Sequence, residues 1–193
     1  MSEIAGLDIL FQCNDPEWLV VCPDAEALCG RAAQPAYQAV ADKLQLHRNV
    51  EISILLADDD FVRELNHKWR GEDSPTNVLS FAADIAAACP GEAAIVGKDL
   101  SGPPFLLGDI VLARQTISRE AEAQSKLLAD HLSHLVVHGV LHLAGYDHMI
   151  DEEAELMEGL EVDLLAALGI ANPYKSYGEF SGDKMQTERP ANE

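Results

Sequence analysis

Five of the seven histidines of this chain, His131, His134, His138, His142 and His148, fall in one short stretch. Its end reads His138-Gly139-Val140-Leu141-His142-Leu143-Ala144-Gly145-Tyr146-Asp147-His148. His138 and His142 stand at i, i+4, one above the other on a helix and ~6 Å apart along its axis. That spacing lets two imidazoles meet one cation. Gly145 predicts that the helix ends in a left-handed or otherwise tight turn, which would bring His148 back to the same ion as a third ligand. Three imidazoles leave a fourth position open to water, the arrangement of a catalytic rather than a closed structural zinc site. The alternative is a helix that is merely rich in histidine. Imidazoles set among Val137, Val140, Leu141 and Leu143 are costly filler unless their nitrogens are satisfied, so the pattern favours ligation. His131 and His134 share a flank with His138 but enter no second coordination pattern, and are expected beside the ion or partly exposed. The spacing argues for one divalent ion without choosing it, since imidazole suits zinc, nickel, copper and iron.

The spacing H-x3-H-x2-G-x2-H is also that of the metzincin peptidases, which need a glutamate directly after the first histidine as general base. Gly139 occupies that position. A glycine can neither take a proton from water nor pass one to a leaving amine, which argues against a peptidase.

The elements that must hold these residues follow from periodicity and punctuation. Strands are predicted at Leu7 to Gln12, Val50 to Leu56, Asn77 to Phe81 and Phe105 to Leu112. A helix is expected over about 24–46, weakened in its middle by Gly30 and Pro35. Another covers 61–69, capped by Asp58-Asp59-Asp60, with Phe61, Leu65 and Trp69 on one face and Gly71 as its stop. Three more follow at about 113–127, 127–144 and 151–168. The last carries Met157, Leu160, Leu164 and Leu168 as a stripe, with Gly169 past its end. The resulting order, β-α-β-α-β-β-α-α-α, predicts an α+β fold: a small mixed four-stranded sheet packed with about five helices, the metal site at the end of a central helix. Residues 83–104, rich in Ala, Gly and Pro, read as a loop or irregular hairpin. Residues 1–170 are expected to form a single catalytic metal-hydrolase domain, and 171–193 a disordered polar tail.

Composition narrows the functional classes. With 193 residues, 48% hydrophobic and 24% charged, the chain is globular and long enough for a core without staples. Thirteen Lys and Arg against 33 Asp and Glu give a formal net charge of −20. That counts against a general nucleic-acid coat protein and disfavours anionic membranes, while leaving room for an enzyme with a small basic cleft. Arg63, Lys68, Arg70, Arg114, Arg119 and Lys126 are the candidates for a local basic strip; if they do not converge, an anionic substrate would need steering by something other than this chain. Cys13, Cys22, Cys29 and Cys89 form no C-x-x-C pair and read as reduced thiols. The opening residues lack the features of a signal peptide, and no apolar run is long enough to span a membrane. A soluble, cytoplasmic protein is expected.

The histidine segment, together with Leu65-Asn66-His67-Lys68-Trp69-Arg70 running into Asp73-Ser74-Pro75-Thr76-Asn77-Val78-Leu79-Ser80-Phe81, and with Leu107-Gly108-Asp109-Ile110-Val111, closely resembles the YbeY family of bacterial rRNA maturation endoribonucleases. Three segments occur in the family's order, and the resemblance covers about residues 7–168. Trp69 stands where tyrosine is common, and Glu72 where a basic residue is frequent. The resemblance implies a single-strand-specific, metal-dependent endoribonuclease that acts in 3′-end maturation of small-subunit (16S) rRNA and in ribosome quality control. It implies His138, His142 and His148 as zinc ligands and Arg70 as the functional arginine. Its partners would be rRNA and the ribosomal small subunit, with ribosomal proteins or an assembly GTPase, and neither DNA nor membrane.

That allocation is chemically coherent. Zinc lowers the pKa of bound water to ~7, and a guanidinium offers paired donors to phosphate oxygens at any working pH. Arg70 has an alternative role as a solvated arginine at a helix end. Asp147 would orient a histidine or assist proton transfer, or else cap the next helix. Thr76, Asn77 and Ser80 are weaker candidates for contact with RNA, since a turn and strand explain them equally well. Two other readings compete with the nuclease: a non-catalytic ribosome-assembly factor whose metal only staples helix to turn, and a metal hydrolase of another substrate.

Overall fold

The computed structural model describes residues 6–44, 49–83, 103–146 and 151–175. Four strands, β1 (Leu7–Cys13), β2 (Val50–Ala57), β3 (Val78–Ala82) and β4 (Phe105–Ala113), form one sheet in the order β1-β2-β4-β3. β1 and β4 both run parallel to β2, and β3 pairs antiparallel to β4, Val78 facing Leu112 and Ala82 facing Gly108. Six helices are present among the described residues: α1 (Glu17–Val21), α2 (Ala25–Leu44), α3 (Asp59–Arg70), α4 (Arg114–Ala123), α5 (Leu128–Leu143) and α6 (Asp151–Ala167). The predicted mixed four-stranded α+β architecture is therefore present. The expected five helices become six because the Asn14-Asp15-Pro16 turn leads into the short α1.

The strands divide the molecule into layers. On β2, Val50, Ile52, Ile54 and Leu56 alternate with less buried residues, the period-2 pattern of a strand with one fully covered face. These four residues join Ile110 and Leu112 of β4, Tyr37 of α2, and Val136, Val140 and Leu141 of α5 in the main core. Across the sheet, Val62 of α3 packs with Ala57, Leu79, Val111 and Ala113, flanked by Phe61 and Leu65. Trp69, predicted on the same face, is 63% exposed and sits with its ring 6.0 Å from that of Phe81.

α2 continues through Pro35 instead of weakening there. A proline inside a helix costs about 3 kcal/mol, but Ala25, Cys29, Ala32, Ala33, Ala36, Tyr37 and Val40 bury an unbroken face around it. Packing of that face offsets the lost hydrogen bond. α5 lies at the centre, with ten of its residues buried. It can lie flat on β4 because position 139 is glycine: an added Cβ would stand 2.9 Å from Cδ1 of Ile110. No helix among the described residues is long and apolar enough to cross a membrane. Most of the 83–104 segment and everything after Lys175 lie outside the described residues.

Candidate metal centre

α5 sets the site. His131, His134, His138 and His142 follow one another along the helix, with ring-centroid separations of 6.2, 6.3 and 4.5 Å. The last pair is the close one. Nε2 of His138 and Nε2 of His142 stand 3.0 Å apart, with the rings nearly perpendicular at 81°.

The partners of the other ring nitrogens fix what those Nε2 atoms are. At Gly145 the backbone turns left-handed, φ 77°, as predicted, a conformation that costs glycine nothing. The turn is closed by Gly145 N–H donating to the His142 carbonyl and Tyr146 N–H to the Leu141 carbonyl. It delivers the Tyr146 carbonyl to Nδ1 of His142 at 2.9 Å. A carbonyl only accepts, so Nδ1 of His142 carries the hydrogen. Nδ1 of His138 meets the Glu161 carboxylate at 2.7 Å and donates in the same way. With the hydrogen on Nδ1, Nε2 of each ring is the atom turned toward the other, and two lone pairs at this distance repel unless a proton or cation lies between them. Two nitrogens bound to one tetrahedral zinc with bonds of ~2.0–2.1 Å stand about 3.3 Å apart. The pair fits a shared divalent ion.

Asp147 and His148 lie outside the described residues. Among the described residues no group of three His, Cys, Asp or Glu side chains gathers around one point.

The pair opens on a cleft of about 620 Å³ lined by Arg70, Thr76, Asn77, Val78, Ser80, Ala82, His138, His142, Gly145 and Tyr146. Four candidates from the α3–β3 region thus come together with two from α5. Asp58 caps α3, its carboxylate accepting from Phe61 N–H at 2.8 Å, and Gly71 ends the helix just after Arg70. Asn66, buried on α3, donates to the Ser74 carbonyl at 2.8 Å and ties the Arg70–Thr76 segment to the helix. The amide of Asn77 is committed: it donates to both carboxylate oxygens of Glu120, at 3.0 and 3.3 Å, and accepts from Val78 N–H. The Ser80 hydroxyl is buried with no hydrogen-bond partner among the described residues.

The six cations of the expected basic strip do not converge. Arg114 is held by Asp15 at 2.5 Å, Arg119 by Asp59 at 2.9 Å, and Arg63 reaches Asp73 at 3.7 Å. Lys126 donates to the Pro173 carbonyl, and Lys68 lies 5.2 Å over the Trp69 ring. Of the six, Arg70 alone lines the cleft.

Sequence reasoning missed Glu161 and Tyr174. Glu161 sits in α6 between Met157 and Leu165, the three forming the fully buried line of that helix. Its carboxylate takes hydrogen bonds from His138, from His134 at 3.4 Å, and from the Tyr174 hydroxyl. Burial alone would raise its pKa, but these three donors outweigh burial and hold it at about 2. The Tyr174 hydroxyl is pushed above the ordinary tyrosine value by burial and by that carboxylate. His131, 4% exposed, bonds Glu120 at 2.8 Å; burial lowers its pKa more than the carboxylate restores it. A charged residue inside the apolar stripe of α6 was the available signal for Glu161. Tyr174 gave none.

The sequence model of the family described as Endoribonuclease YbeY matches residues 24–169. The chain is 56% identical over 161 residues to the Endoribonuclease YbeY of Paramagnetospirillum magneticum, covering 82% of this chain and 90% of that protein. It is 47% identical over 173 residues to the Endoribonuclease YbeY of Parvibaculum lavamentivorans, covering 90% and 88%. A Thermotoga maritima protein solved in solution aligns at 22% identity with a TM-score of 0.45, covering 88% of this chain and 99% of that one.

Proposed function

The chain belongs to the Endoribonuclease YbeY family, and from that membership we propose that it is a metal-dependent endoribonuclease cutting single-stranded RNA. Its place is the cytoplasm, in 3′-end maturation of small-subunit (16S) rRNA and in ribosome quality control. One zinc ion is the proposed cofactor, held by His138 and His142, with His148 added from the motif. The observation that carries this reading is the approach of Nε2 of His138 to Nε2 of His142, 3.0 Å apart, at a cleft that Arg70 also lines.

Zinc there would supply Lewis acidity, activating water near neutral pH and drawing charge from the phosphate. The chain's own residues do the rest. The Tyr146 carbonyl and Glu161 keep the imidazole protons of His142 and His138 on Nδ1, so that Nε2 is the atom each ring turns toward the other. The Arg70 guanidinium binds non-bridging phosphate oxygens through paired N–H donors. Thr76 offers a hydroxyl at the cleft wall, whereas that of Ser80 is buried. Asn77 braces β3 against Glu120, a positioning role in place of direct RNA contact. Gly139 is turned toward Ile110, so a peptidase's glutamate at that position would be buried in the core, away from any ion.

With Arg70 the single cation among the residues lining the cleft and a net charge of −20, diffusional steering of free RNA is weak. The substrate is therefore presented by the ribosomal small subunit, with a ribosomal protein or an assembly GTPase as the accessory partner.

The test pairs metal analysis with cleavage of a single-stranded RNA oligonucleotide. His142→Ala is expected to lose both bound metal and cleavage, and Arg70→Ala to keep the metal while losing roughly 10²–10³ in rate. Cleavage by metal-free His142→Ala refutes the proposal; undiminished ribosome maturation by Arg70→Ala favours the non-catalytic assembly factor.

A further inference from the structure

We propose that Glu161 is a positioning residue for His138, and that Tyr174, beyond the end of α6, holds Glu161 in turn. This rests on the metal-centre reading above and adds to it two residues outside the histidine motif.

Glu161 is fully buried on α6, and its neighbours in the buried line, Met157 and Leu165, cannot hydrogen-bond it. No Lys or Arg pairs with it among the described residues; every partner it has is a histidine or a tyrosine. A buried carboxylate in that setting is expensive unless it is fully hydrogen-bonded, and here both oxygens are used. Oε1 takes the Nδ1 hydrogen of His138 at 2.7 Å. Oε2 takes the Tyr174 hydroxyl and faces Nε2 of His134 at 3.4 Å. The first bond fixes both the tautomer and the ring angle of His138, so Nε2 points where Nε2 of His142 points. A carboxylate behind an imidazole also raises the basicity of the opposite nitrogen toward a metal.

Tyr174 is anchored independently of Glu161. Lys126, just ahead of α5, donates to the Pro173 carbonyl at 2.8 Å, and Tyr174 N–H donates to the Asn172 side chain at 2.9 Å. The Tyr174 ring meets His134 edge-on at 5.8 Å and 83°. The residue as a whole is 47% exposed, while its hydroxyl reaches the buried carboxylate. The order of the relay is therefore Tyr174, Glu161, His138, and it joins a segment past the family match to the candidate ligand.

The experiment uses the full chain and measures Zn²⁺ and Co²⁺ affinity by competition with a chromophoric chelator, with circular dichroism of the metal-free proteins as the check on folding. Glu161→Gln keeps the shape of the side chain and removes its charge; it is expected to weaken both ions by ~10–100-fold. Tyr174→Phe removes one hydroxyl and is expected to weaken them by roughly 3–10-fold, the worth of a single hydrogen bond. The Co²⁺ visible spectrum of both variants should shift, because the angle of the His138 ring is released. A folded Glu161→Gln protein with wild-type affinity overturns the proposal. Should that variant not fold, Tyr174→Phe decides, and unchanged affinity and spectrum overturn the relay. A wild-type chain that binds neither ion overturns the metal-centre reading itself.

Discussion

Position 139 is where the central helix is seated on the sheet, and its sterics give numbers that can be checked. A methyl placed on Gly139 would meet Ile110 at 2.9 Å from Cδ1, 3.1 Å from Cγ2 and 3.2 Å from Cγ1. Cδ1, the closest of the three, ends a branched side chain whose stiff χ1 leaves it little room to turn aside inside a full core. Gly139→Ala gains about 1 kcal/mol of helix propensity and loses about 1–3 kcal/mol to overpacking, leaving a net loss of about 0–2 kcal/mol. The coupling is more decisive than that sum. Ile110→Val alone costs about 0.5–1.5 kcal/mol because it leaves a hole under α5. In the Gly139→Ala background the new methyl occupies the space left by Cδ1, so the double variant should be ~1 kcal/mol more stable than additivity predicts. Urea unfolding followed by far-ultraviolet circular dichroism on all four proteins measures this, with equal m-values as the check that the unfolding transition is the same. Additivity within about 0.3 kcal/mol would refute the claim that this contact seats the helix bearing His138 and His142.

Three further outcomes follow from the same geometry. Asp58→Ala removes the cap of α3 and should cost about 0.5–2 kcal/mol in urea unfolding, with a loss of cleavage if α3 aims Arg70. His131 is buried against Glu120, His134 and Lys126, and its folded pKa lies below the ordinary 6.5. As pH falls, the unfolded chain therefore takes up that proton first, so the stability His131 contributes is whole above 6.5 and is lost below it; His131→Gln should flatten the fall of the urea midpoint on acidification, and an unchanged fall would refute the assignment. Binding of single-stranded RNA to the isolated chain, measured by fluorescence anisotropy against salt, should give a log–log slope near −0.7, one phosphate contact's worth. A slope of about −3 or steeper would mean that cations outside the described cleft lining take part.

The fold was legible where local rules and tertiary packing agree. Alternation on Val50–Ala57, the Asp58 cap and the glycine stops at Gly71 and Gly169 each appear in the structure close to where the sequence places them. The reading faltered where packing overrides propensity. Pro35 suggests a weak point in α2, but nothing local announces that the face around it is buried against α5 and the sheet. α1 was missed because five residues are too few to show a helical period; what holds it is tertiary, the Trp18 indole donating to the Ala57 carbonyl at 2.9 Å.

The candidate site divides along the same line. His138 and His142 could be read because the helix itself supplies their geometry: four residues on one face put two rings within reach of one ion, whatever surrounds them. The groups that aim those rings come from elsewhere. Glu161 stands 23 positions beyond His138, on a different helix, and its one trace in the sequence is a carboxylate in line with apolar neighbours. The Tyr146 carbonyl is a backbone atom, which no motif of side chains can single out. Cations are the extreme case. Arg114 looks as available as Arg70 in a list of basic residues, yet it is neutralised by Asp15, 99 positions away, while Arg70, at the end of α3, faces the cleft. Spacing along a helix fixes which side chains can converge, but pairing across the fold decides which charges remain to act. An acidic chain with six candidate cations can therefore present one of them to its cleft, and that single guanidinium sets how much of the work of holding RNA must pass to a partner.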